Sequence, residues 1–185
     1  MGSGTAGVLM IVGSAIFGVG AAIGVPGVFT QPDREQKLRM LEERLPLWRL
    51  AQPFYAVGPL VASAGVGYLA ASSDAGHGDT WLALSCLLLV AGALCWSWSV
   101  YLRMTRYREF ALGALPGWPF AAYVFLTVGG LAFLGLGLLL ADLPAWLGWL
   151  TIGADVLFLA AYLRWKDIPP FVFYLLLTVV GIGVL

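Results

Sequence analysis

Six stretches of the chain are almost continuously apolar, separated by short polar segments. They cover residues 7–29, 48–71, 80–102, 118–141, 146–163 and 169–185. Roughly 20 apolar residues in a helix cross a hydrocarbon core of about 30 Å, and the first four runs reach that length. The fifth is marginal, and the sixth is short unless Pro169 and Pro170 form its first turn, where a missing N–H costs little. Backbone groups facing lipid must be hydrogen-bonded within their own segment or in a closed barrel. These runs lack the alternation of barrel strands, so they predict helices. The expected fold is all-α: a polytopic transmembrane helical bundle of about six spans, forming a single membrane domain over residues 1–185.

A different period appears between the first two runs. Leu38, Leu41, Leu45 and Trp48 make a narrow apolar stripe in a polar segment. Asp33 follows Pro32, and Asp33/Lys37 and Glu35/Arg39 are acid-first pairs four residues apart. The pattern predicts a short cytoplasmic amphipathic helix over 33–45, stopped by Pro46, lying on the membrane surface or against neighbouring loops. Its four acids and four bases cancel, which argues against a polybasic lipid switch.

The charges add orientation. Arg34, Lys37, Arg39, Arg44 and Arg49 lie between or just inside the first two spans. Arg103, Arg106 and Arg108 follow the third span, and Arg164 and Lys166 follow the fifth. Those are all ten basic residues, every one at an odd-numbered connection. The positive-inside rule then predicts cytoplasmic odd loops and both termini outside, in a multi-pass cell (inner) membrane protein. The spacing of Trp48, Trp81, Trp118, Trp146, Trp149 and Trp165 at run ends suits interface anchors.

Composition narrows the function classes. The chain is 61% hydrophobic and 11% charged, with mean hydropathy +0.90. A soluble domain carries roughly a quarter charged residues, so the lipid bilayer is the expected partner. Zero net charge gives no field that recruits nucleic acid. Cys86 and Cys95 are half a turn out of phase on one helix and cannot pair with each other. The first run is long for a cleavable signal peptide and has no basic residue before it.

Small residues recur on the span faces: Gly20 and Gly24, Gly58 and Ala62, then Gly130, Gly135 and Gly137. They let helices approach closely, either within the chain or in a homo-oligomer or membrane-protein partner. Pro26, Pro53 and Pro59 are expected to kink the first two spans.

One residue stands out for chemistry. Asp155 lies near the middle of the fifth run, with Thr151 and Tyr162 on the same helical stripe. A charged Asp there costs about 2.5–3.5 kcal/mol on insertion scales, so it should face the bundle interior. With no countercharge at that depth it is expected to be protonated or paired with a cation. It serves as a hydrogen-bonding strut to Ser63, Ser85 or Ser97, as the polar point of a ligand, ion or proton site, or as a wetter group on a shifted span. A second cluster joins Arg49, Gln52 and Tyr55 to Ser97, Tyr101 and Arg103 at the ends of the second and third spans. It suits a pocket for an anionic headgroup or metabolite, with snorkelling to the interface as the simpler account. The sole histidine, His77, stands between Asp74 and Asp79 in an outer connection, a solvated loop rather than a metal site. No Walker A, HExxH or GxSxG pattern occurs, so no enzyme activity, cofactor or metal is expected.

The stretch Leu143-Pro144-Ala145-Trp146-Leu147-Gly148-Trp149-Leu150, with the small-residue span before it and the turn over 164–170 after it, resembles a module of uncharacterised six-helix bacterial membrane proteins. The resemblance covers little more than the last third of the chain. It implies a bacterial inner-membrane setting, names no activity and transfers no functional residue. The expected function is a non-enzymatic membrane protein with an internal polar site at Asp155, binding or transporting a small ligand, ion or proton. The alternative is an accessory subunit packing through its glycine-rich faces.

Overall fold

Each apolar run becomes a helix, and two shorter helices lie between them. The computed structural model describes residues 2–72, 78–141 and 143–185, with side chains from residue 4 onward. In chain order the helices are α1 (Gly2–Ile23), α2 (Arg34–Glu43), α3 (Leu45–Ser72), α4 (Asp79–Thr105), α5 (Tyr107–Ala111), α6 (Trp118–Leu140), α7 (Ala145–Trp165) and α8 (Phe171–Gly183). Five of them, α1, α3, α4, α6 and α7, are long and apolar enough to cross a bilayer. The chain is therefore an all-α, multi-pass membrane bundle. The sixth run is shorter than expected: α8 has 13 residues, about 20 Å at 1.5 Å per residue. Pro169 and Pro170 do form the turn that starts it, since their carbonyls accept from Val172 N and Phe173 N, each at 3.2 Å.

The long helices pack in chain order, α1 on α3, α3 on α4, α4 on α6 and α6 on α7, and α8 closes the ring between α7 and α1. The small residues set these distances. A Cβ on Gly13 would lie 2.3 Å from the backbone N of Ala62, and one on Gly58 would lie 2.7 Å from the Gly13 carbonyl. The same backbone-to-backbone approach joins Gly7 to Gly181 and Gly135 to Gly148. Gly130 and Gly137 meet Leu89 and Leu82 of α4. These glycine faces are thus used within the chain.

Pro53 and Pro59 lie inside α3. Pro59 has no N–H, so the carbonyl of Tyr55 loses its helical donor. The indole Nε1–H of Trp96 on α4 donates to that oxygen at 2.8 Å, satisfying in the core what the proline leaves open. Trp96→Phe should therefore cost about 1–3 kcal/mol, the penalty of a buried carbonyl without a partner. Chemical unfolding in detergent checks this. The loss should shrink when Pro59→Ala restores the helical donor.

Two boundary expectations and one pairing expectation are corrected. α1 ends at Ile23, so Pro26 lies in the following turn, which Gly27 completes at φ 74, and does not kink a span. Pro46 sits in the first turn of α3 and helps begin that helix instead of ending the amphipathic one. α2 is capped by Asp33, whose carboxylate accepts from Gln36 N at 2.8 Å; the Asp33/Lys37 and Glu35/Arg39 pairs form no ion pair among the described residues. Leu41 is fully buried against Val25, Val28, Trp48 and Ala111, so the α2 stripe packs on neighbouring loops and α5. Trp118, Trp146, Trp149 and Trp165 are exposed, whereas Trp48 is only 1% exposed and stacks on Phe110 instead of anchoring at an interface.

Candidate functional site

The first, third and fifth connections converge at one end of the bundle and line a cavity of about 710 Å³. Its walls also include Phe17 and Ala21 of α1, Lys37 of α2, Tyr55 of α3, and Trp96, Ser99 and Arg103 of α4.

Arg103 stands two residues before the end of α4. Its backbone carbonyl, one of the four that a helix end leaves without an internal donor, accepts from Trp48 Nε1 at 3.2 Å. That bond anchors the end of α4 to the start of α3. The side chain turns back into the bundle rather than snorkelling outward. Its guanidinium carbon lies 4.9 Å from the ring centre of Trp96, 5.4 Å from Phe110, 5.7 Å from Phe120 and 5.9 Å from Phe29. Such contacts are worth about 0.5–2 kcal/mol each when desolvated. Arg103 forms no ion pair among the described residues.

Lys37 comes to the same place from α2, with Nζ 4.2 Å from the Phe110 ring centre. Burial lowers its pKa, the nearby charge of Arg103 lowers it further, and Asp167 acts in the opposite direction. Asp167 and Lys166 reach the rim through a sharp exit from α7. Lys166 adopts φ 55, ψ 17, and its N–H donates to the Tyr162 carbonyl at 2.7 Å. This left-handed conformation costs a non-glycine residue roughly 1–2 kcal/mol. The cavity thus carries three cations, Lys37, Arg103 and Lys166, and one acid, Asp167.

The sequence cluster is only partly assembled. Tyr55 and Arg103 both line the cavity. Gln52 is buried but donates Nε2 to the Trp48 carbonyl of its own helix at 3.0 Å. Arg49 is exposed, and Tyr101 is exposed and stacks on Trp98 at 5.5 Å. Lys37, Lys166 and Asp167 were not anticipated. Lys37 had a readable signal: it lies four residues before Leu41, on the edge of the apolar stripe, and therefore on the packed face. No family model, curated protein or solved structure matches the chain.

Asp155, Thr151 and Tyr162 share the buried face of α7 as expected. Asp155 is 6% exposed, and its Oδ1 has no hydrogen-bond partner among the described residues. Thr151 donates to its own helix, to the Leu147 carbonyl at 2.7 Å, and the Tyr162 ring packs edge-on against Phe125 at 5.4 Å. The strut to another helix is not formed with the serines considered. Ser63 donates to Pro59 O, Ser85 to Gly130 O, and Ser97 to Ala56 O and Ala93 O. Asp155 is also not among the residues lining the cavity. A buried carboxyl without a partner opposes folding. Asp155→Leu should therefore raise the unfolding temperature in detergent, equally with and without added sodium or potassium. A fall that depends on the added cation would instead mark a cation site. Asp74 and His77 lie outside the described residues.

Proposed function

We propose that this chain is a non-enzymatic membrane protein that binds a small anionic ligand in the cavity around Arg103. The observation that carries the reading is a concentration of like charge. Arg103 and Lys37 are held close enough to repel each other within aromatic walls, with one exposed acid as counterweight. Two desolvated cations near each other are unfavourable by themselves, and an anion between them converts repulsion into attraction. Arginine also offers a planar fork of donors that matches a carboxylate or phosphate. On this reading the basic connections face the cytoplasm, as the positive-inside rule expects, and the ligand enters from that side. The absence of nucleotide-binding, zinc-protease and serine-hydrolase motifs supports binding over catalysis. An accessory-subunit role would need faces other than the glycine stripes, which the bundle uses internally.

The test is titration of inorganic phosphate and of succinate into the protein in phosphatidylcholine nanodiscs, followed by calorimetry. Saturable binding that weakens with ionic strength is expected for at least one of them; binding of neither overturns the reading. Lys37 supplies a pH signature. Its folded pKa lies below the ordinary lysine value of 10.5, and a bound anion raises it again. Binding should therefore take up protons and weaken as pH rises into the alkaline range, at lower pH than a free lysine would dictate. Lys37→Gln should remove that alkaline limb.

A further inference from the structure

The anion site just proposed is larger and more apolar than a bare anion requires. Resting on that reading, we infer that its ligand is an amphiphile: an apolar body carrying a phosphate monoester or an equivalent dianion. Three features of the cavity converge on this class.

The first is charge. Lys37, Arg103 and Lys166 against Asp167 leave a surplus of two positive charges, which a phosphate monoester of charge about −1.5 to −2 neutralises. The second is size. A phosphate group fills only a small part of a cavity of about 710 Å³. The volume falls among sites for organic molecules of about 300–1,000 Å³. The third is an extended apolar wall. Phe17, Ala21 and Val25 on the α1 side, with Ile168 and Phe171 beside α8, line the cavity next to its charged groups, Lys166 and Asp167 directly preceding Ile168. Phe17 is six residues inside α1, about 9 Å below its end, so this wall descends into the bundle. An anion held at Arg103 would leave its apolar body against that wall, out of water.

Octyl phosphate, octyl sulfate, octyl glucoside and inorganic phosphate separate the possibilities when titrated into nanodiscs, with protein-free discs subtracted. Octyl phosphate is expected to bind at least 30-fold more tightly than inorganic phosphate and several-fold more tightly than the monoanionic sulfate. Both Arg103→Gln and the peripheral Lys37→Gln should weaken it, with folding of each variant verified by thermal unfolding. Equal affinity for octyl and inorganic phosphate overturns the amphiphile while leaving the anion site standing. Octyl sulfate binding as tightly as octyl phosphate overturns the dianion. Octyl glucoside binding as well as octyl phosphate, unaffected by either variant, overturns both readings. Phosphatidate placed in the discs identifies the source: competition with octyl phosphate assigns the ligand to the leaflet, and lack of competition assigns it to soluble alkyl or aryl phosphates.

Discussion

Arg103→Gln is expected to weaken anion binding by about 30-fold to several-thousand-fold without destabilising the bundle. Removing one partner of a buried, hydrogen-bonded charge pair costs about 2–5 kcal/mol of binding, and each 1.4 kcal/mol is tenfold in affinity. The effect on folding should have the opposite sign or be absent. The guanidinium forms no ion pair among the described residues; it repels Lys37 and is attracted by Asp167. Desolvating an ion costs several kcal/mol, and its contacts with Trp96, Phe110, Phe120 and Phe29 are together of the same order, so the two nearly cancel. Glutamine keeps much of the stem, removes the charge and ends the repulsion of Lys37. Binding calorimetry and thermal unfolding on the same preparation separate the two effects. A variant that binds normally but unfolds at lower temperature would assign Arg103 to structure alone. Stability given up at a binding site is a common trade in proteins.

The second large effect is structural. Gly13→Leu should separate α1 from α3 and cost about 3 kcal/mol or more, at or beyond the usual upper end for overpacking. The atoms that a new Cβ meets are Ala62 N at 2.3 Å, the Gly58 carbonyl oxygen at 2.7 Å and Ala62 Cα at 2.8 Å. All are backbone, so no rotamer change relieves the clash and the helices must move apart along the most extensive seam of the bundle. In lipid that seam is held by close-range dispersion, which falls steeply with separation. Phe17, one turn further along α1, lines the cavity, so ligand binding should fall with the packing. Gly18→Ala is the matched control, because a Cβ there meets nothing within 4 Å. It should be neutral or stabilise α1 by up to about 1 kcal/mol through helix propensity. Thermal unfolding in one detergent compares the two; equal losses would sink the packing account.

The spans were legible because crossing a membrane is a demand on local composition. A run of apolar residues long enough for the hydrocarbon core announces itself without reference to its neighbours. Asp155 on the buried face of α7 was legible for a similar reason, since a carboxyl costs too much against lipid to point outward. The end of α1 at Ile23 was not, because the apolar Val25 and Val28 follow after the helix stops and pack with Leu41 and Trp48 from a turn. Hydropathy reports burial there and says nothing of φ and ψ.

The site was legible in pieces. Tyr55 and Arg103 were grouped by their level in the membrane, and Lys37 stood on an apolar stripe. Lys166 and Asp167 enter through a left-handed turn at a lysine, a conformation that no neighbouring residue signals. The direction of Arg103 was equally hidden. The same residue snorkels to water or folds inward according to which rings await it, and those rings come from the turn after α1, from α4, from α5 and from α6. The sequence by itself determined that the chain is a set of apolar helices with its basic residues gathered on alternate connections, because each span answers to the bilayer alone. Only the tertiary structure decided that three of those cations face a common cavity, because the free energy of an inward charge depends on walls contributed by helices far apart in the chain.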